Sequence, residues 1–229
     1  MATLKKTILG RISGSVGDIV FRNKNGKNFI SSKPASFKTP SDISALERRA
    51  RFRLTAKFAK AVADITVLKE LWRANKHSGM TVNNFIISQS YNHITHEDIG
   101  NSASLVPGQG IILTNPSVEV SSELLRLNID ALGNNAGIDP VNETLLRMGG
   151  VIFLSSPADN LISKYSFISL ISDSLAMDLD NPLSVTINLT TQQAALVNKY
   201  QVIKAYCALL TFSAEDKIVN YSQTIFGTG

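Results

Sequence analysis

The chain reads as an α+β protein: an N-terminal β-ribbon and helical hairpin, then an antiparallel β-sandwich of the Ig-like kind. Three observations carry this reading. Short apolar runs separated by glycines occupy the first thirty residues, with Asn25-Gly26 between two of them. Apolar residues then recur at spacings of four and three from Leu46 to Ile65, a helical period. From residue 110 onward, short β-branched and leucine-rich segments are broken by Gly, Pro, Asn and Asp.

The ribbon comes first. Ile8-Leu9, Ile12, Val16, Ile19-Val20-Phe21 and Phe29-Ile30 are separated by Gly10, Gly14, Gly17 and Gly26. Asn25-Gly26 fits a type I′ turn, whose two central residues need positive φ, so Ile19–Asn23 is expected to pair with Lys27–Ser31. A ribbon this small is marginal alone in water and needs a surface to lie on, either the helices that follow or a neighbouring subunit. Lys33-Pro34 to Thr39-Pro40 is an extended connector, because a residue before proline is pushed out of the helical region.

A helix is expected from near Ser41 to about Ile65, capped by Thr39 or Ser41, with Ser44 and Glu47 spaced as a capping box. Its apolar face is Leu46, Ala50, Leu54, Phe58, Val62 and Ile65; Arg48, Arg49, Arg51, Arg53, Lys57 and Lys60 cover much of the remainder. Shorter helices are expected over Val67–Asn75 and Thr81–His93, divided at Gly79. Residues 95–109 read as a linker, which sets the domains at 1–100 and 101–229. The sandwich strands are expected at Gly110–Leu113, Val118–Val120, Leu124–Ile129, Val151–Leu154, Tyr165–Ile171, Leu183–Leu189, Val202–Phe212 and Ile218–Ile225, with a helical turn over Thr191–Lys199.

Charge divides along the same line. Residues 1–100 hold 17 Lys/Arg against 7 Asp/Glu, and residues 101–229 hold 6 against 11. A basic end and an acidic end suit head-to-tail self-association or a polyanionic partner at the basic end. With 44% hydrophobic and 18% charged residues, the chain has ample material for a folded core. Ile8-Leu9 is far short of the roughly 7–15 apolar residues of a secretory leader, so synthesis in the cytoplasm is expected. No segment reaches the roughly 20 apolar residues of a membrane span.

Catalytic and metal signatures are weak. Cys207 is the one cysteine and lies in an apolar run, where a buried thiol is the expected reading. His93 and His96 stand at i, i+3 beside Glu97 and Asp98, but a metal site needs further ligands that the sequence does not offer. Carboxylate pairs such as Asp178/Asp180 and Glu215/Asp216 sit at turn-like positions in water, without the contrasting environments that hydrolysis requires. No Gly-Lys-Ser/Thr follows Gly10, Gly14 and Gly17, so these glycines read as bulges and turns. Neither an enzyme nor a bound cofactor or metal is expected.

The block Gly-x-x-Gly-Asp-x-Val-Phe-Arg-x-x-Asn-Gly-Lys at Gly14–Lys27, with Ser-x-Lys-Pro at Ser31–Pro34 and Pro-Ser…Arg-Arg-x-x-Phe at Pro40–Phe52, resembles a group of uncharacterised two-part proteins. These occur mainly in bacteria of the Bacteroidota and Chlorobi type and in some of their phages. The likeness continues through Trp72 and Tyr91-Asn92 and covers about residues 10–95, with the rest similar only in texture. It implies a sandwich-like C-terminal domain, no enzyme, and an assembly or surface component.

The expected function is therefore a structural subunit that polymerises with copies of itself, as a virion or tail component or a cellular filament. The assembly interface would be Ile8, Ile12, Val16, Ile19, Phe21, Phe29 and Ile30, adding a strand to a neighbour's sheet. The alternative is nucleic-acid binding through the basic patch Arg48, Arg49, Arg51, Arg53, Lys57 and Lys60.

Overall fold

Two residues in the middle of the chain, Gly149 and Gly150, explain how the C-terminal architecture is layered. The computed structural model describes residues 2–3, 12–24, 26–33, 36, 39–133, 137–159 and 161–229. It divides into two compact units, Met1–Leu46 and Glu47–Gly229.

The first unit is a four-stranded antiparallel sheet of β1 (Ala2–Thr3), β2 (Gly14–Val16), β3 (Ile19–Lys24) and β4 (Lys27–Ser32), in the order β1-β4-β3-β2. Lys24 lies opposite Lys27, which leaves a two-residue turn whose Gly26 has φ +77°. The positive φ is the property the Asn-Gly pair was expected to supply, although Asn25 itself lies outside the described residues.

Helix α1 spans Ile43–Asp64. Its cap is Asp42, whose carboxylate accepts the Ala45 N–H at 3.1 Å, rather than Thr39 or Ser41. Leu54, Phe58, Val62 and Ile65 are buried as the periodicity requires, whereas Leu46 remains 52% exposed. Helix α2 (Thr66–Asn75) follows almost without a break, and α3 (Val82–Ser90), capped by the Thr81 hydroxyl, ends in a 3-10 turn at Tyr91–His93.

The second unit's strands form two antiparallel sheets. The smaller has the order β10-β6-β5, from β5 (Ser117–Val120), β6 (Leu124–Ile129) and β10 (Leu183–Asn188). The larger is built on β7 (Leu145–Pro157) and β11 (Tyr200–Phe212), two 13-residue strands paired along their length. Around them lie β8 (Tyr165–Ile171), β9 (Leu175–Ala176), β12 (Ile218–Tyr221) and β13 (Ile225–Thr228). Helix α4 (Thr191–Val197) opens on a capping box between Thr190 and Gln193.

The large sheet is covered on both faces. Leu146, Met148, Ile152 and Leu154 of β7, with Ala205, Cys207 and Leu209 of β11, meet Leu125 and Leu127 of the small sheet. The alternate residues Val151, Phe153, Tyr206, Ala208 and Leu210 meet Leu54, Phe58, Leu68 and Trp72 of α1 and α2. The result is a sandwich with a third, helical layer, and the central strands are accordingly near-continuous in their apolar character instead of alternating. Gly150 lets the sheets approach: a Cβ there would sit 2.5 Å from Leu125 Cδ2. At Gly149, on the helical side, the nearest atom would be Leu68 Cδ1 at 3.4 Å, an ordinary contact.

Helices α1–α3 share a core with the large sheet of the sandwich, and the compact units divide at 46/47. Residues 95–109 are a packed strap. Ile99, Ala103, Leu105 and Val106 are buried, Trp72 Nε1 donates to the Leu105 carbonyl at 2.7 Å, and Tyr221 Oη donates to that of Pro107 at 2.8 Å. The expected strand at Gly110–Leu113 is reduced to one bridge between Ile111 and Ser222. The expected strand Val151–Leu154 extends back to Leu145, because the two glycines are packing residues inside the strand.

Candidate functional site

Directly opposed residues in antiparallel strands share a face, so the ribbon's register assigns its apolar side chains. Val16 faces Ile19, and Phe21 faces Ile30; these four lie on one surface. Phe29, opposite Arg22, lies on the other surface with Val20. Ile12 precedes β2 and joins through its backbone, donating its N–H to Asn28 Oδ1 at 3.3 Å. The same oxygen accepts from Asn23 Nδ2 at 2.6 Å, so Asn28, only 2% exposed, is the ribbon's polar anchor. Ile8 lies outside the described residues. Val16 is 71% and Ile19 45% exposed, and β2 pairs on one side only among the described residues. The first unit therefore presents an open strand edge with apolar side chains beside it.

The basic patch separates into two groups. Arg51 donates from Nε and Nη2 to the Tyr91 carbonyl, at 3.0 and 2.5 Å, and its guanidinium lies 4.1 Å from the Tyr91 ring centre. It clamps the 3-10 turn to α1. Arg49, Arg53, Lys57 and Lys60 are exposed and recur at four, four and three residues, one stripe along α1, with Arg48 exposed beside them.

That stripe borders a partly enclosed cavity of about 290 Å³, lined by Arg53, Lys57, His96, Ser163, Lys164 and Tyr165. Lys164 Nζ pairs with Glu97 at 3.1 Å; that hydrogen bond, its charge and then His96 hold the Glu97 carboxyl below its ordinary value. Among the described residues Arg53 and Lys57 make no ion pair. The segment carrying His96 is held firmly: Tyr165 Oη donates to the His96 carbonyl at 3.1 Å, Lys204 Nζ pairs with Asp98 at 2.6 Å, and Tyr206 Oη donates to the Ile99 carbonyl at 3.0 Å. His96, Ser163 and Lys164 have no local sequence signal of this association. They lie more than thirty residues from Arg53 and Lys57, and the strap and the β7–β8 turn bring them in.

Other sequence candidates take ordinary roles. Cys207 is fully buried and its thiol is pushed up to about 12 by desolvation, which disfavours the nucleophilic thiolate. His93 Nδ1 pairs with Ser102 Oγ at 2.9 Å, while His96 lines the cavity above. Among the described residues no three His, Cys, Asp or Glu side chains group as metal ligands, and no helix is long and apolar enough to cross a membrane. Asp178 accepts from Asn181 Nδ2 and from the Asp180 and Asn181 N–H groups, a turn motif.

No family model matches the chain, and no curated protein matches it in sequence. Two solved structures are similar over about half of it. A DUF3823 family protein from Parabacteroides merdae ATCC 43184 aligns at 10% identity over 51% of each chain, with a TM-score of 0.26. A β-glucosidase from Kluyveromyces marxianus in complex with glucose aligns at 11% identity over 52% of this chain and 15% of its own, with a TM-score of 0.21. The chain thus spans about half the length of the first structure and far less of the second.

Proposed function

We propose that the protein is a non-enzymatic structural subunit that assembles head-to-tail with its own copies, as a phage virion or tail component or a cellular filament. The observation that supports this most is the open edge of β2 with Val16 and Ile19 exposed on it. An unpaired edge with apolar neighbours is a template for strand addition, in which main-chain bonds give affinity and flanking side chains give register. Strand β10 at the outer edge of the small sheet is a suitable receiver, because among the described residues it pairs with β6 alone. A contact between two different surfaces repeats from copy to copy and closes into rings or extends into filaments. Charge favours the same pairing. Residues 1–46 hold 8 Lys/Arg against 2 Asp/Glu, whereas residues 101–229 are net acidic.

Negative-stain electron microscopy of the full chain and of a chain lacking residues 1–33 tests this. Rings, tubes or filaments are expected from the first and dispersed monomers from the second. Assemblies that survive the deletion refute the mechanism.

The stripe Arg49, Arg53, Lys57 and Lys60 favours a second reading, binding of a nucleic-acid backbone. Affinity for generic DNA or RNA should then fall steeply with salt, and removing the stripe's charges should abolish it. Salt-independent binding, or none, excludes this reading.

A further inference from the structure

We propose that the cavity between α1 and the Ser163–Tyr165 segment is a binding site for a phosphate group. Three cationic side chains, Arg53, Lys57 and Lys164, line one space of about 290 Å³ together with the His96 ring and Ser163. The adjacent carboxylate, Glu97, serves Lys164, and among the described residues Arg53 and Lys57 have no anionic partner. Like charges one turn apart on a helix repel. An anion in the cavity reverses the sign of this interaction.

The donors favour a tetrahedral oxyanion over a carboxylate. Arginine offers a planar fork, lysine a point charge, and a serine hydroxyl and an imidazole can add further hydrogen bonds. Together they suit three or four oxygens distributed in space. Ala50, Leu54 and Tyr165 complete the lining. The volume lies at the lower limit of ligand pockets, roughly 300 Å³, which suits a phosphate with a small appendage. The His96 segment is held by Tyr165, Lys204 and Tyr206, which fixes that wall of the site.

Calorimetric titration of the full-length chain with inorganic phosphate, with chloride balancing ionic strength, tests the assignment. Saturable binding is expected, with R53Q and K57Q each weakening it at least about tenfold through loss of a charge-assisted hydrogen bond. K69Q, on the exposed surface of α2 and outside both the stripe and the cavity, should leave affinity unchanged. E97Q releases Lys164 and should tighten binding by about threefold. A short single-stranded DNA in competition identifies the source of the group. Displacement by phosphate and loss with K57Q assign the site to a polynucleotide backbone, and phosphate binding without DNA binding assigns it to a small phosphate ester. Absence of saturable phosphate binding, or equal weakening by K57Q and K69Q, overturns the proposal.

Discussion

The sheets of the two compact units differ in how they are covered. In residues 47–229 the large sheet is covered by helices on one face and by the small sheet on the other, and the interiors of β7 and β11 are buried. In residues 1–46 the strands are two to six residues long, and Val16 and Ile19 are exposed beside a strand edge that is open among the described residues. If the ribbon serves the proposed assembly while the covered sheet serves stability, substitutions should separate the two.

The largest effect is expected in the helical layer. Phe58 is fully buried, with ring centres 5.8 Å from Tyr206 and 6.5 Å from Phe167. Phe58→Ala should cost about 3–5 kcal/mol in urea unfolding. Val16→Ser and Ile19→Ser should stay within about 0.5 kcal/mol of the parent, as surface substitutions do. A large loss at Val16 would show the ribbon to be packed and would break the contrast.

The contact between the sheets comes next. Gly150→Ala places a methyl group against Leu125 in a well-packed core and should cost about 1–3 kcal/mol. Gly149→Ala meets Leu68 at an ordinary contact distance and should cost less, measured in the same unfolding experiment.

Within the basic helix the comparison is finer. Arg51→Gln removes two hydrogen bonds to the Tyr91 carbonyl and the stacking on its ring, and should cost about 1–2 kcal/mol. Arg53→Gln should leave stability unchanged, since its side chain holds no partner among the described residues.

The smallest effect lies on the acid limb. The Val141 N–H, followed by Asn142, holds the Asp139 carboxyl below its ordinary value, and Asn181 does the same for Asp178. Because the folded-state values are depressed, the stabilisation is complete above the ordinary 3.8 and disappears as pH falls through the lowered values. Acid unfolding of D139N and D178N should be less steep below pH 3.8 than that of the parent.

Much of the local structure was legible because single residues dictate it. Asn25-Gly26 marked the hairpin, the spacing from Leu54 to Ile65 marked the buried face of α1, and Leu125-Leu127-Ile129 marked an alternating strand. The failures share a cause: packing decided what pattern could not. Gly149-Gly150 interrupts an apolar run and resembles a break, yet both positions lie inside the longest class of strand in the fold. Ile99, Leu105 and Val106 follow neither helical nor strand spacing, so they read as linker, although they are buried in the core shared by helices and sheet. In the same way Arg51 and Arg53 are indistinguishable by charge, and only the placement of Tyr91 and Lys164 gives one a structural contact and the other a cavity.

The central claim is that Val16 and Ile19 serve contact between copies and not folding. Light scattering on the full chain and on the V16S/I19S double variant, at low and high salt, tests it most directly. The account predicts large assemblies from the parent and monomers from the variant, with the two unfolding at the same urea concentration. Assemblies of equal size from both proteins, or a parent that is monomeric at every salt concentration, would contradict it.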